Sequence, residues 1–105
     1  MVQYSPRLDN TFGALADPTR RGILLKLGKS ETGITELADA FDITPTGMKK
    51  HIRLLEEAGL VEATRQGKES MYSVRLQGFT SVREFIDDFW TVALGRLAAL
   101  AEEDR

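Results

Sequence analysis

Several hydroxyl and basic side chains that can bind anionic or hydrogen-bonding partners recur within a short stretch near the middle of the chain. They are Thr44, Thr46, Lys49, Lys50 and Arg53. Lysine and arginine donate hydrogen bonds to guanine edges and phosphate oxygens, and threonine contacts either a base or a phosphate. The stretch therefore favours nucleic-acid binding, although a basic run on a helix is more often only a solvated face.

The same sequence has few groups that could support catalysis or metal binding. Cysteine is absent and His51 is the single histidine, so disulfides, thiolate metal sites, a cysteine nucleophile and a multi-histidine site are excluded. The sequence contains no phosphate-cradling glycine loop and no clustered acid–base set. We therefore predict a protein that is not an enzyme and has no cofactor, with His51 as a phosphate or packing contact.

Length and composition indicate one domain spanning residues 1–105, with 42% hydrophobic and 29% charged residues. No apolar run approaches the roughly 20 residues of a membrane span, and residues 1–7 read as a short arm without an apolar signal core. A cytoplasmic protein without a membrane partner is expected. The net charge of −2 does not itself indicate nucleic-acid binding. The distribution of charge does, because the region from Gln77 onward holds six acids against three arginines.

Three short helices are predicted before the basic stretch. Asp9 or Asn10 caps the first helix, Asp17-Pro18 opens the second, and Thr35 caps the third. In the second helix, Ile23, Leu24 and Leu27 recur at helical spacing.

The basic stretch is predicted to lie on a fourth helix over about 44–58, followed by a hairpin over about 60–76. Thr44 caps this helix, Pro45 occupies its first turn, and Ala58-Gly59 ends it. One face is apolar, and the other carries the hydroxyl and basic groups; the apolar residues are Met48, Ile52 and Leu55. The hairpin tip adds Arg65 and Lys68, which are suited to contacting backbone phosphate.

This order of elements, α-α-α-α-β-β-α, predicts a mainly α winged helix-turn-helix fold. In such a fold the second helix of the helix-turn-helix enters the major groove of DNA. The predicted DNA-binding residues are Thr44, Pro45, Thr46, Lys49, Lys50, His51, Arg53, Arg65 and Lys68.

The last predicted helix, over about 80–102, carries an apolar seam with alternating spacings of three and four residues. The seam is widened by a second apolar set, Phe85, Trp90, Val92 and Leu94. A single domain of this size covers only one side of such a helix. We therefore predict a homodimer through the terminal helices; the interface residues are Phe79, Val82, Ile86, Phe89, Trp90, Ala93, Leu97 and Leu100. As an alternative, Trp90 lines a pocket for a small apolar effector.

Two segments resemble a known family. The run Leu15-Ala16-Asp17-Pro18-Thr19-Arg20-Arg21, followed by Ile23-Leu24, resembles the opening segment of the ArsR/SmtB family of winged helix-turn-helix repressors. The stretch Ile43 to Val61 is similar to that family's recognition helix and the start of its wing. The resemblance covers about residues 12–76. It implies a dimeric repressor that binds an inverted-repeat DNA operator and is released by an effector; a winged-helix module that binds protein instead of DNA is the alternative.

The sequence departs from this family at its metal-sensing positions. The family's sensors bind metal through cysteines on the third helix, where residues 34–41 contain no thiol. A second metal site in the family uses aspartate and histidines on the last helix, which here keeps Asp87 and Asp88 without a histidine. A carboxylate pair alone is a poor transition-metal site. We therefore expect no metal sensing, and Thr46 or Lys49 in place of a common serine means that base preference cannot be transferred.

Overall fold

The computed structural model describes residues 5–103 and places five α-helices around a small antiparallel sheet. A 3₁₀ turn over Leu76–Phe79 joins the sheet to the last helix. In chain order the elements are α1 Pro6–Leu15, α2 Pro18–Lys29, β1 Thr32–Gly33, α3 Ile34–Ala40, α4 Pro45–Glu57, β2 Val61–Gln66, β3 Glu69–Val74 and α5 Thr80–Glu103. The predicted mainly α fold with a hairpin is confirmed.

The start of α1 differs from the prediction. The Ser5 hydroxyl accepts a hydrogen bond from the Leu8 N–H at 3.2 Å, and Pro6 occupies the first helical position. Because serine and proline together form a strong helix start, the helix begins before Asp9 and Asn10, and neither residue is its cap. The prediction of an arm over residues 1–7 is therefore wrong at Pro6 and Arg7; the part covering residues 1–4 lies outside the described residues.

The sheet has a third strand that the sequence did not indicate. β1 pairs antiparallel with β3 through Thr32 and Tyr72, which gives the strand order β1-β3-β2. A strand of two residues is too short to show alternation, so periodicity could not reveal it. The chain passes from this strand directly into α3, and Gly33 rather than Thr35 therefore holds the cap position.

The core lies beneath α2, α3 and α4 and reaches the start of β2. Its most buried members have less than 2% of their surface exposed; the apolar ones are Ile23, Leu37, Met48, Ile52, Leu55 and Leu60. Burying each such side chain contributes about 1.5–3 kcal/mol. No described residue of α5 is buried within the chain. The core therefore holds the α3–α4 pair rigidly, whereas α5 packs against it only at its beginning.

Candidate nucleic-acid interface

The N-terminal end of α4 is built by its cap. The Thr44 hydroxyl accepts a hydrogen bond from the Gly47 N–H at 3.0 Å, with Pro45 at the first position of the helix. A helix N-terminus carries free N–H groups and a partial positive charge, both of which favour phosphate oxygens. Thr44, Pro45 and Thr46 are exposed there. The end of the helix that is chemically suited to an anion is thus open.

The two faces of α4 differ completely in burial. Met48, Ile52 and Leu55 are at most 1% exposed, which confirms the predicted apolar face. Lys49, Lys50 and Arg53 lie on the outer surface. Within residues 5–103, none of these three cations comes within 4.0 Å of a carboxylate. Their charge is therefore available to an external polyanion.

The hairpin of β2 and β3 places two further cations beside its turn. Gly67 adopts a positive φ of 63°, which allows a tight turn between Gln66 and Glu69. The Arg65 Nε donates a hydrogen bond to the Gly67 carbonyl at 3.3 Å, so this side chain bends towards the tip. Arg65 and Lys68 are both exposed. The hairpin thus presents two cations at its tip.

His51 is the half-buried member of the predicted set. Its Nδ1 lies 3.5 Å from Nη1 of Arg20 on α2 and 4.0 Å from Oδ2 of Asp17, the residue that caps α2. The histidine therefore connects α4 to the beginning of α2. This arrangement agrees with the packing role considered from the sequence.

Arg20 is a structural residue that the sequence reasoning did not single out. Its Nε donates to the Ala14 carbonyl at 2.8 Å and its Nη2 to the Gly13 carbonyl at 3.2 Å. A cation suits this end of α1 because the last carbonyls of a helix lack intrahelical partners. Together with its approach to His51, Arg20 joins α1, α2 and α4. A useful signal would have been an arginine three residues after a helix cap and close to the end of the preceding helix.

Asp17 caps α2 and completes this cluster. Its Oδ2 accepts a hydrogen bond from the Arg20 N–H at 3.0 Å. This backbone hydrogen bond, helped by the positive charge of Arg20, holds the pKa of the Asp17 carboxyl below its usual 3.8. The segment that carries the family resemblance thus contains the residues that lock the helix-turn-helix to α1.

The structure separates the predicted dimer-interface residues, which lie on α5 and in the 3₁₀ turn before it, into two groups. Phe79 packs against the chain's own core, and Val82 and Ala93 are half-buried. The others are between 40% and 60% exposed; they are Ile86, Phe89, Trp90, Leu97 and Leu100. Trp90, the alternative pocket residue, lies edge-on to Phe89 with ring centroids 6.1 Å apart. These five side chains form an apolar surface, which we call the α5 face.

The α5 face is connected to α1 by an aromatic contact. Phe12 meets Phe85 edge to face, with ring centroids 5.8 Å apart and an interplanar angle of 89°. Both rings remain at least 40% exposed, so the two terminal helices together present a wider apolar surface.

Neither a metal cluster nor a membrane span is evident in the described part of the chain. Among residues 5–103, no three His, Cys, Asp or Glu side chains are grouped so as to hold a metal ion. No helix in the same range is long and apolar enough to cross a membrane.

An exposed cationic helix on a buried apolar base, followed by a hairpin with a basic tip, defines a winged helix-turn-helix domain. The helix-turn-helix domain family matches residues 15–64. The chain is 31% identical to the HTH-type transcriptional regulator Rv2034 of Mycobacterium tuberculosis over 91% of this chain and 90% of the relative. The chain is also 31% identical to the arsenical resistance operon repressor of Escherichia coli over 85% of this chain and 77% of the relative. It therefore belongs to the ArsR/SmtB family of DNA-binding transcriptional regulators, which are not enzymes.

Solved structures support the same assignment. A crystal structure of an ArsR family transcriptional regulator superimposes with a TM-score of 0.77 at 34% identity, covering 88% of this chain and 95% of that one. The homodimeric winged helix-turn-helix DNA-binding domain of a possible ArsR-family regulator from Mycobacterium bovis gives a TM-score of 0.64 at 25% identity. That match covers 89% of this chain and 90% of the other.

Proposed function

We propose that this protein is a dimeric repressor that binds an inverted-repeat DNA operator and does not sense metal ions. The observation that carries the proposal is the outer face of α4. Lys49, Lys50 and Arg53 stand exposed over a face that is almost fully buried. A helix held so firmly from one side can present its other side to a groove without rearrangement.

The expected docking places α4 in the major groove, which is about 12 Å wide and admits a helix. Thr44 and Thr46 then face phosphate or base edges at the N-terminal end, and the three cations contact bases or the backbone along the groove. Arg65 and Lys68 at the hairpin tip contact the adjacent backbone. Most of these contacts are to phosphate and position the protein, whereas sequence is read by the few side chains that contact base edges.

The α5 face supports a dimer. Five large apolar side chains, each 40–60% exposed, lie together on one helix, and contiguous exposed apolar patches often mark protein–protein interaction sites. The M. bovis relative is a homodimer with the same fold. A second copy packed on α5 and α1 would set two recognition helices about 34 Å apart, which matches one turn of DNA and an inverted repeat.

The absence of metal sensing rests on the residue types at the family's two metal positions. Helix α3 has no thiol, and α5 has no histidine. The carboxylates Asp87 and Asp88 provide only hard oxygen ligands, which bind transition metals poorly. The signal that releases this protein from its operator is therefore not a metal ion bound by cysteine or histidine.

The decisive experiment is fluorescence anisotropy of the protein with labelled duplex DNA from upstream of its own gene, repeated over a salt series. Lys50→Glu is the test variant, and Lys29→Glu, at the exposed end of α2, carries the same charge change away from α4. We expect two chains per site and an affinity that falls steeply with salt, with a slope of about 0.9 per phosphate contact. Lys50→Glu should weaken binding at least about tenfold and lower the salt slope, because it removes one cationic contact and adds a repulsive charge.

Three results would contradict this function. Equal affinity of wild type and Lys50→Glu would remove α4 from the interface. Flat anisotropy on every promoter fragment, with the dimer intact, would instead favour a winged helix that binds protein. Zinc should leave the wild-type curve unchanged, and release of the operator by zinc would overturn the assignment of a metal-independent repressor.

A further inference from the structure

We propose that a second site, a groove between α2 and the β3–α5 connection, binds a free aliphatic carboxylate that acts as the effector. The groove is an open apolar channel of about 700 Å³, within the range of about 300–1,000 Å³ typical of small-molecule sites. It lies apart from both the basic face of α4 and the α5 face, since none of its lining residues belongs to either surface.

The walls of the groove are aliphatic and unusually exposed. Leu25 of α2 is 73% exposed and Leu76 of the 3₁₀ turn is 78% exposed. Both side chains line the groove, each from a different element. Leu24, which is buried, and Phe79 and Val74, which are half-buried, also line it. Leu15 at the end of α1 completes the apolar lining, which extends over four elements and suits an elongated hydrocarbon chain better than a compact polar ligand.

The charge of the groove selects the head group. Arg21 and Lys29 both line it, and no carboxylate from the described residues does. The Arg21 Nη1 donates to the Leu15 carbonyl at 2.8 Å, which anchors the guanidinium, and its other N–H groups have no hydrogen-bond partner among residues 5–103. An anchored guanidinium pairs well with a carboxylate, because two parallel N–H donors match its two oxygens. An aliphatic chain ending in a carboxylate complements both features of the groove, whereas an aliphatic cation complements only one.

The position of the groove suggests how occupancy alters DNA binding, a consequence that rests on the proposed function. Val74 ends the hairpin, and Leu76 and Phe79 lead into α5. A ligand held between these residues and α2 therefore contacts the only covalent connection between the hairpin and the dimer helix. A ligand shifts an equilibrium only by its difference in affinity between two states, so coupling requires the connection to differ between free and operator-bound protein.

The first measurement is calorimetric titration of the full chain, without DNA, with dodecanoate below its micellar concentration. Dodecyltrimethylammonium has the same chain with the opposite charge and serves as the matched ligand control. Lys29→Glu and Leu25→Ser are the test variants; both positions are exposed, so the fold should be retained, as circular dichroism would check. Lys68→Glu, at the hairpin tip, is the matched control for charge.

We expect saturable binding of dodecanoate, and none of the cationic ligand. Lys29→Glu should weaken the binding of dodecanoate about tenfold, and Leu25→Ser should weaken it severalfold, while Lys68→Glu leaves it unchanged. No saturable binding, or equal binding by wild type and both test variants, would overturn the site. Loss of self-association in Leu25→Ser would also overturn it, because the groove would then be a contact between chains.

The second measurement is operator affinity with and without saturating dodecanoate. A change of at least about fivefold is expected, and operator DNA should change dodecanoate affinity by the same factor, because coupling is reciprocal. An unchanged operator affinity would overturn the effector role. The calorimetric result needs no DNA, so a protein that fails to bind any operator but still binds dodecanoate would contradict the proposed function alone.

Discussion

At the scale of single residues, Asp17 has two structural tasks. Its carboxylate caps α2 through the Arg20 N–H and lies 4.0 Å from the His51 ring on the recognition helix. An uncharged amide caps a helix nearly as well as a carboxylate does. Substitution of Asp17 by asparagine therefore keeps the capping hydrogen bond and removes only the negative charge. The charge is the part that depends on pH.

We predict that Asp17→Asn reduces stability at neutral pH and that the difference from wild type shrinks in acid. The pKa of Asp17 is lower in the folded chain than its usual 3.8, so ionisation of Asp17 stabilises the fold above about pH 4. This contribution is lost as the pH falls through the folded-state pKa. Urea unfolding of both proteins at about pH 6 and about pH 2.5, at one protein concentration, measures the two differences.

The matched control is Asp88→Asn, which removes an exposed carboxylate from α5 away from this cluster. A difference between wild type and Asp17→Asn that stays the same at both pH values would show that the carboxylate charge is not stabilising.

At the scale of elements, two glycines bring the end of α4 against the beginning of α5. Gly59 ends the recognition helix with a φ of +76°, a conformation that L side chains rarely adopt. Gly78 is buried in the 3₁₀ turn, where a Cβ atom would overlap the Gly59 carbonyl oxygen and lie 2.7 Å from its carbon. The close approach of these backbones sets where α5 begins relative to α4.

We predict that Gly78→Ala destabilises the fold by about 3 kcal/mol, because the added methyl group meets rigid backbone instead of a side chain that can move. The measurement is urea unfolding at fixed protein concentration. Gly28→Ala on α2 is the control, since a Cβ atom there meets nothing within 4 Å and alanine favours a helix. Equal stability of the two variants would show that the α4–α5 contact is not tight.

At the scale of the whole molecule, the chain is more extended than a compact domain of the same length. Its radius of gyration is 18.1 Å and its longest dimension is 65 Å, whereas a compact domain of about 100 residues has a radius of gyration of about 13 Å. The 24 residues of α5 account for the excess, since a helix of that length measures about 36 Å and no described residue on it is buried. A partner chain on the α5 face would cover this protruding helix.

We predict that Leu97→Glu produces monomers. A charge placed in the middle of the α5 face must be desolvated for the dimer to form, and this costs several kcal/mol. Thr91→Glu adds the same charge to the polar side of the same helix and should leave the dimer intact. Sedimentation equilibrium measures both, and the monomeric variant should also lose operator affinity, because only one half-site contact remains per molecule.

One sedimentation result would contradict a dimer that forms through α5. Leu97→Glu would then sediment as wild type does, and the apolar surface of α5 would require another partner.

Local chemistry was enough to predict the recognition helix. Thr44-Pro45 at its start, Gly59 at its end and a three-to-four-residue apolar period between them are signals that one segment carries by itself. The same reasoning missed β1, whose two residues become a strand only by pairing with β3. It also missed Arg20, whose partners Gly13, Ala14 and His51 come from two other elements.

The sequence by itself determined the class of the fold, the polarity of the recognition helix and the lack of thiolate or imidazole metal ligands. These properties depend on residue type and spacing within single segments. The tertiary structure alone decided that Phe79 packs against the core while the five side chains of the α5 face stay exposed. It alone formed the groove between Leu25 and Leu76, which are 51 positions apart in the chain. Contacts between segments depend on how several elements pack together, and no periodicity within one segment records that packing.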